Sequence, residues 1–350
     1  MTTRQFQVCV LTICAVLTSA LLSKKYFLAV ETEEPVQKWE DGMRTAGEEE
    51  AFEWWYFDGK LDDGTLFVII WHTAYPPETS SISVAFTPPD EETFLKRYSF
   101  PPDQFQGSRE SCFVKIGNNV LEGDLNNYRQ HFELEDLKGD LYLERTAPSW
   151  RPRNNIRYYT GARGKYFAWL PAVPAGKIHG KISFKGEEKE VSGIGYHDHN
   201  WANMSWVQLE TIIGKRYWGR VIAQDYAIVF SQVVFQKKIG SPASNKFYLA
   251  QGDKILIDHS ADHSPSFSLE EKTYTDHPSN SQEKLPELTI RYNDNISLSI
   301  KLKSERMLLP FYDNKYLRYA GIADVELTTP EGSKNFRGDC LWEFADYTGQ

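Results

Sequence analysis

The sequence predicts an all-β protein made of two antiparallel β-domains of one plan, each a sandwich or barrel. Three observations carry that expectation. Aromatic residues make up 14% of the chain, with 10 Trp, 19 Tyr and 20 Phe, a density that suits strands and apolar cavities better than helical bundles. Short aromatic or β-branched runs recur between turn residues, and no long amphipathic helical period interrupts them. The second half also echoes the first. Gly59-Lys60-Leu61, then Asp63 and an apolar run, has a counterpart in Gly219-Arg220-Val221, then Asp225 and an apolar run.

Taken in order, residues 6–22 are apolar, with Arg4 before them and Lys24-Lys25 after. This run is shorter than the roughly 20 residues of a comfortable membrane span, and Thr18, Ser19 and Ala20 suit a cleavage site. Residues 1–25 are therefore expected to be a signal peptide or a membrane anchor. That would send the protein into the secretory pathway, secreted or anchored, with any membrane association made through this segment. Residues 26–47, acidic and containing Pro35, read as a linker. The first β-domain is expected over 48–198 and opens on Glu53-Trp54-Trp55-Tyr56-Phe57-Asp58. Asp63-Gly64 between two such runs is a strong hairpin signal. Further strands are expected at 81–86, 111–116, 131–134, 141–145 and 177–184. Pro171 and Pro174 argue against a central strand where they stand. The second domain is expected over 199–350, with the polar stretch 260–284 as a long exposed loop.

Composition excludes several functions. A net charge of −9 with no Lys/Arg block argues against a nucleic-acid binder. Of the four cysteines, Cys9 and Cys14 fall in the N-terminal run. Cys112 and Cys340 read as separate buried thiols in preference to a disulfide. The sequence has no Gly-x-Ser-x-Gly, no phosphate-binding glycine loop and no dinucleotide fingerprint, so nucleotide and nicotinamide chemistry are not expected.

The junction between the two halves carries Gly193-Ile194-Gly195-Tyr196-His197-Asp198-His199-Asn200-Trp201. If extended, it turns Tyr196, Asp198 and Asn200 to one face and His197, His199 and Trp201 to the other. A carboxyl group walled in by Trp and Tyr rings loses hydration, which raises its pKa and suits Asp198 to act as an acid near neutrality. His197 and His199 share a face and could ligate a metal. A third ligand would have to come from His72, His131 or His179, none of which lies in a motif, so no metal is expected. Glu53 stands beside so much aromatic surface that its charge needs a partner, and Arg220 is the expected one, in a bidentate pair across the junction.

These stretches, Glu53 to Gly59, Tyr196 to Trp201 and Tyr217-Trp218-Gly219-Arg220, resemble the hydroxyneurosporene synthase (carotenoid hydratase) superfamily. They are also similar to related lipocalin-like proteins that include fungal Diels–Alderases and kievitone hydratase. The resemblance runs over residues 48–350. It implies two lipocalin-like antiparallel β-barrel domains packed side by side, an apolar pocket for a hydrophobic small-molecule substrate, and no cofactor. Members hydrate or cyclise alkenes of polyene, terpenoid or polyketide substrates. In the carotenoid hydratases the tyrosine and aspartate of a Tyr-x-Asp motif are implicated in protonating the alkene, and these match Tyr196 and Asp198. An upstream His-x-Trp corresponds to Phe167-Ala168-Trp169, so the tryptophan is kept and the histidine is replaced. That departure weighs against simple hydration. The expected reading is a cofactor-independent cyclase or isomerase of a hydrophobic natural product. A hydratase using His197 or His199 as water base is the alternative, and a non-catalytic lipid carrier is the third. The catalytic candidates are Asp198, Tyr196, His197 and His199. The substrate-binding candidates are Trp169, Trp201, Trp55, Glu53, Asn200 and Trp218.

Overall fold

Antiparallel strand accounts for most of the chain. The computed structural model describes residues 35–45, 50–73, 79–152, 165–240, 243–260, 266–272, 285–311 and 315–348. The apolar run at 6–22 lies outside the described residues, and no helix among those described is long and apolar enough to cross a membrane.

The first sheet comprises β1 (Phe52–Leu61), β2 (Leu66–His72), β3 (Ser80–Thr87), β4 (Phe94–Phe100), β5 (Phe105–Gly107), β6 (Cys112–Ile116), β7 (Asn119–Gly123), β8 (Asn127–Glu133), β9 (Leu137–Arg145), β10 (Phe167–Phe184) and β11 (Glu187–Ala202). The second comprises β12 (Ile213–Ala223), β13 (Tyr226–Phe235), β14 (Ala243–Gln251), β15 (Lys254–His259), β16 (Phe267–Lys272), β17 (Glu287–Asn293), β18 (Ser297–Phe311), β19 (Tyr316–Thr329) and β20 (Gly332–Asp346). The strand orders are 4-3-2-1-11-10-9-8-7-6-5 and 15-14-13-12-20-19-18-17-16. Each sheet is therefore a meander whose last strand returns to pair with its first, β11 on β1 and β20 on β12. One plan is executed twice, as the Gly59 and Gly219 echo suggests. The first sheet curls into a near-barrel and the second into a half-barrel.

Burial along each strand reports its place. β8 alternates between buried and exposed residues, as a strand with one face in water does. In β1 only Trp54 and Lys60 escape full burial, because both of its faces are covered. Trp55, Phe57 and Leu61 join the core inside the first sheet with Ile69, Trp71 and Phe132. Phe52 and Tyr56 join a layer shared by both sheets with Tyr196, Trp218, Val229 and Leu341. A third core, including Val221, Phe230 and Trp342, fills the second sheet. The near-continuous aromatic run at 52–57 is what a strand between two apolar layers needs.

Several expectations are corrected. β10 runs through Pro171 and Pro174. Its pairing with β11 shifts between Pro171 and Val173 and again between Val173 and Gly176, irregularities where a missing N–H is tolerated. Within 260–284, residues Phe267–Lys272 form a strand paired to β17; the segments 261–265 and 273–284 lie outside the described residues. The first sheet does not end at residue 198. β11 continues to Ala202, opposite Phe52 of β1 and Phe167 of β10. A short helix, α1 (Trp206–Glu210), capped by Ser205 through its Oγ and the Gln208 N–H, then leads into β12. The supposed linker also enters the fold. Lys38–Asp41 forms a 3-10 turn with Glu40 and Asp41 buried, and the Asp41 carbonyl accepts the Trp55 indole N–H at 2.9 Å. Gly195 is needed for close approach and not for a left-handed backbone. It sits opposite Gly59, and a Cβ there would lie 2.5 Å from Ile178 Cδ1 and 2.7 Å from Asp58 O. Cys112 and Cys340 are free and buried, in different sheets.

The expected Glu53–Arg220 pair does not form. Arg220 donates from both Nε, at 2.9 Å, and Nη2 to Asp58 Oδ1. Strand alternation explains the change. Glu53 and Asp58 are an odd number of residues apart, so they point to opposite faces of β1, and Asp58 has the face turned to the second sheet. Both partners are 1% exposed. Two residues along the same face, Lys60 pairs with Asp339 of β20.

Removing one member of the Asp58–Arg220 pair leaves a buried charge without its partner. Asp58→Asn or Arg220→Met alone is expected to cost about 3–5 kcal/mol in urea unfolding, whereas the Asp58→Leu/Arg220→Met double variant recovers most of that loss. A double variant as unstable as the sum of the singles would contradict the pairing.

Candidate active site between the two sheets

The site begins with register. Asp198 on β11 lies opposite Tyr56 of β1 on one side and Pro171 of β10 on the other, facing the layer shared by the sheets. Its carboxyl is 3% exposed. Oδ2 accepts from Trp169 Nε1 at 2.7 Å and from the Tyr196 hydroxyl at 2.8 Å. Oδ1 accepts from Asn200 Nδ2 at 2.6 Å. Tyr196, Asp198 and Asn200 meet because alternate residues of a strand share a face, and Trp169 joins them from β10, opposite Asn200. Trp218 comes from the second sheet and packs edge-on against Tyr196 (5.3 Å, 62°) and Tyr56 (5.4 Å, 74°). Asp198, Tyr196, Asn200, Trp169 and Trp218 are thus one constellation.

The other expected residues form a second one, inside the first sheet. His197 lies flat on Phe57 (3.9 Å, 3°). Its Nε2 is 3.1 Å from Asp41 Oδ2 and its Nδ1 2.9 Å from the Tyr56 carbonyl. His199 stacks on Trp55 (4.6 Å, 9°) and adjoins Trp201 (4.7 Å), with Nε2 2.8 Å from Glu53 Oε1. Glu53 also accepts the backbone N–H groups of Arg44 and Thr45, and Tyr128 donates to Asp41. This cluster fastens residues 36–45 into the first sheet. Its histidines face away from Asp198 and their ring nitrogens contact other groups, so neither stands as a water base beside it. Trp55, Trp201 and Glu53 likewise lie away from Asp198.

The three histidines considered as a third metal ligand are dispersed. His72 contacts Ser83 Oγ at 3.2 Å, His131 contacts Asp140 at 3.1 Å, and His179 stacks on Tyr142. Among the described residues, the group able to hold a metal ion is Asp41, Cys112 and His197, whose donor atoms lie within 4.8 Å of one another. Burial, with the nearby Asp41 charge, holds the Cys112 thiol well above its ordinary pKa.

Sequence reasoning missed the polar residues that the second sheet turns toward the first. Arg318 Nε donates to Glu343 Oε1 at 2.9 Å, Arg216 donates to Glu343 Oε2 at 2.9 Å, and Arg318 Nη2 donates to the Tyr316 hydroxyl at 3.0 Å. The Arg318 guanidinium lies 5.6 Å from the Tyr56 ring centroid. Nothing local in the sequence marks this group, because it depends on Arg318 and Trp218 both lying opposite Glu343 on neighbouring strands.

Burial sets the electrostatics of the first constellation. It pushes the Asp198 carboxyl up to about 6, against the hydrogen bonds from Trp169 and Tyr196 that favour the ionised form. Burial, and then the charge of Asp198, hold the Tyr196 phenol well above its ordinary range.

Two curled antiparallel sheets built on one meander, joined through an apolar layer, define a lipocalin-like fold of a near-barrel and a half-barrel. Its sequence matches the Diels-Alderase-like family over residues 119–277. It is 23% identical to the Diels-Alderase cheD of Chaetomium globosum, a match covering 63% of this chain and 56% of that protein, so the chain spans little more than half of that relative. Solved structures share the fold. CghA superposes with a TM-score of 0.62 at 13% identity, covering 91% of this chain and 94% of that one. CghA with Sch210972 gives 0.60 at 13%, covering 90% and 96%. Kievitone hydratase from Nectria haematococca gives 0.52 at 12%, covering 89% and 96%. Sequence and fold are both similar to lipocalin-like Diels-Alderases, and the fold is also similar to kievitone hydratase.

The raised pKa of Asp198 has a stability consequence. The native state holds this proton more tightly than the unfolded chain does. The contribution is complete below about pH 4 and lost as pH rises through about 6. Asp198→Asn carries no such charge. Its stability relative to wild type is therefore expected to improve by roughly 2–3 kcal/mol between pH 4 and pH 7, read from paired thermal or urea melts. A pH-independent difference would show that Asp198 is not buried with a raised pKa.

Proposed function

We propose that the chain is an enzyme that joins or rearranges C=C bonds of an apolar small molecule bound between the two sheets. We read it as a cyclase of the Diels–Alderase type, with Asp198 and Tyr196 acting together as a switchable hydrogen-bond donor. The observation that carries this reading is the contact from the Tyr196 hydroxyl to Asp198 Oδ2 at 2.8 Å, made by a carboxyl group with a pKa near 6.

The direction of that bond depends on one proton. With Asp198 ionised, Tyr196 spends its O–H on Oδ2 and has no proton to offer elsewhere. With Asp198 protonated on Oδ2, the bond reverses and the carboxyl donates to the Tyr196 oxygen. The other partners are undisturbed, since Oδ2 still accepts from Trp169 and Oδ1 still accepts from Asn200. The Tyr196 O–H is then free to turn toward a substrate carbonyl in the shared layer. A donor placed there stabilises negative charge as it develops on that oxygen. The surrounding Trp169, Trp218 and Tyr56 rings form an apolar wall that holds reacting carbons close. The scheme draws on no cofactor.

Phe167 supports cyclisation over hydration. It stands where the resemblance to the carotenoid hydratases has a histidine, and it packs with Phe52 (6.3 Å) and Trp54 (5.9 Å) in an aromatic cluster. The similarity to the Diels-Alderase cheD points the same way. Hydration remains the second reading, on the fold shared with kievitone hydratase.

Asn at 198 accepts from Trp169 and Tyr196 but cannot reverse the bond, so Tyr196 stays turned away from substrate. Asp198→Asn and Tyr196→Phe are each expected to lower turnover of a linear polyene about 100-fold or more. The wild-type rate should fall as pH rises through about 6, where Asp198 ionises. Mass spectrometry reads both the rate and the product, which keeps the substrate mass on cyclisation and gains one water on hydration. Wild-type rates in both variants, or a product heavier by one water, would overturn the cyclase reading.

A further inference from the structure

We propose that the apolar substrate carries a delocalised oxyanion headgroup, a carboxylate being the simplest, and that Arg318, Trp218 and Tyr56 hold it where the second sheet faces the first. The inference rests on the reading of the shared layer as the substrate site, and it adds the substrate's chemical class.

Three buried donors converge on one region. Trp218, Glu343 and Arg318 stand side by side across β12, β20 and β19. Tyr56 reaches over them from the first sheet, its ring 5.4 Å from Trp218 and 5.6 Å from the Arg318 guanidinium. Tyr56 and Trp218 are each 5% exposed and Arg318 is 3% exposed. Trp218 Nε1 and the Tyr56 hydroxyl are sealed from solvent and have no hydrogen-bond partner among the described residues. Arg318 spends Nε and Nη2 on Glu343 and Tyr316, contacts that do not use Nη1.

Buried polar groups are nearly always paired, and an orphan costs stability unless something else satisfies it. The chemistry of these groups names what is missing. An indole N–H can only donate, a guanidinium can only donate, and a phenol can donate. Trp218 Nε1 is an unfilled donor, and Arg216 and Arg318 share the single carboxylate of Glu343, so the group calls for an anionic acceptor. Asp58 Oδ2 is an unpartnered acceptor two residues along β1 from Tyr56, and the Tyr56 hydroxyl can turn to it. The assignment therefore leans on Arg318 and Trp218, with Tyr56 as the third contact. Glu343 fixes the guanidinium by its Nε edge, with Nη1 outside that contact. A planar oxyanion with two equivalent oxygens can take Nη1 with one and Trp218 Nε1 with the other.

The location gives the headgroup a task. Trp218 touches Tyr196 at 5.3 Å, so an anchored headgroup would fix which part of the apolar tail lies beside Tyr196. Arg318 and Trp218 would then be positioning residues that set which bond reacts.

The test compares cis-parinaric acid, a fluorescent polyene carboxylate, with its methyl ester, titrated into the full chain at pH 8. The acid is expected to bind about tenfold or more tightly than the ester, as a charge-assisted hydrogen bond in a buried site allows. Arg318→Gln should bring the two to within about twofold by weakening the acid alone. Arg318→Gln also leaves Glu343 with Arg216 alone and weakens the sheet, so Trp218→Phe provides the second arm. It removes one donor and no charge, and should cost the acid about threefold while sparing the ester. Equal affinity for acid and ester, binding of neither, or an acid preference that survives both substitutions overturns the proposal. Turnover that depends on Asp198 while acid and ester bind alike would sink the headgroup and spare the catalytic reading. An acid preference lost in Arg318→Gln, alongside wild-type turnover in Asp198→Asn, would establish the headgroup and remove the catalytic role.

Discussion

β1 and β11 pair with each other while covered on both faces, so every polar side chain they carry must be satisfied by protein. That constraint arranges the rest of the structure. On the face inside the first sheet it matches His197 with Asp41 and His199 with Glu53, and flattens both imidazoles on aromatic rings. On the face toward the second sheet it matches Asp58 with Arg220 and surrounds Asp198 with three neutral donors. A strand pair at the edge of a sheet could leave such groups to water.

The two carboxylates on that second face differ in the kind of partner they have. Asp58 meets a guanidinium, which never gives up its proton, so the pair is fixed and serves to join the sheets. Asp198 meets a phenol, an indole and an amide. None of them neutralises its charge, so burial dominates and brings its titration near neutrality. One strand pair thus carries a structural carboxylate and a chemically responsive one a few residues apart. The difference comes from what the second sheet and β10 place opposite each.

Much of this was legible in the sequence where it depended on local pattern. Alternation along 196–201 separates Tyr196, Asp198 and Asn200 from His197, His199 and Trp201, and the structure separates them the same way. The Gly59 and Gly219 echo announces a repeated plan, which the matching strand orders display. Long-range pairing was not legible. Arg220 could be assigned to Glu53 because both motifs were visible, but the parity of positions 53 and 58 on β1 decides for Asp58. Arg318 and Glu343 carry no motif, and only the return of β20 onto β12 brings them to Trp218. Pro171 and Pro174 misled because a strand in a curled sheet can shift register around a proline. The segment 36–45 misled because its acidic composition resembles a tether, while Glu40 and Asp41 are drawn inward by partners far along the chain.

The docking of 36–45 bears on how specificity can vary in this architecture. The hollow of the first near-barrel, where a lipocalin would receive its cargo, is occupied by the protein's own segment 36–45 and by the rings clamped around it. The first sheet becomes a rigid anvil, and under the proposed function the cargo space moves outward to its seam with the second sheet. Reactive groups then sit on the rigid partner and contouring groups on the other. Substitutions along β12, β19 and β20 can reshape what is received there while Asp198 and Tyr196 keep their geometry, so new substrates can be explored without rebuilding the chemistry.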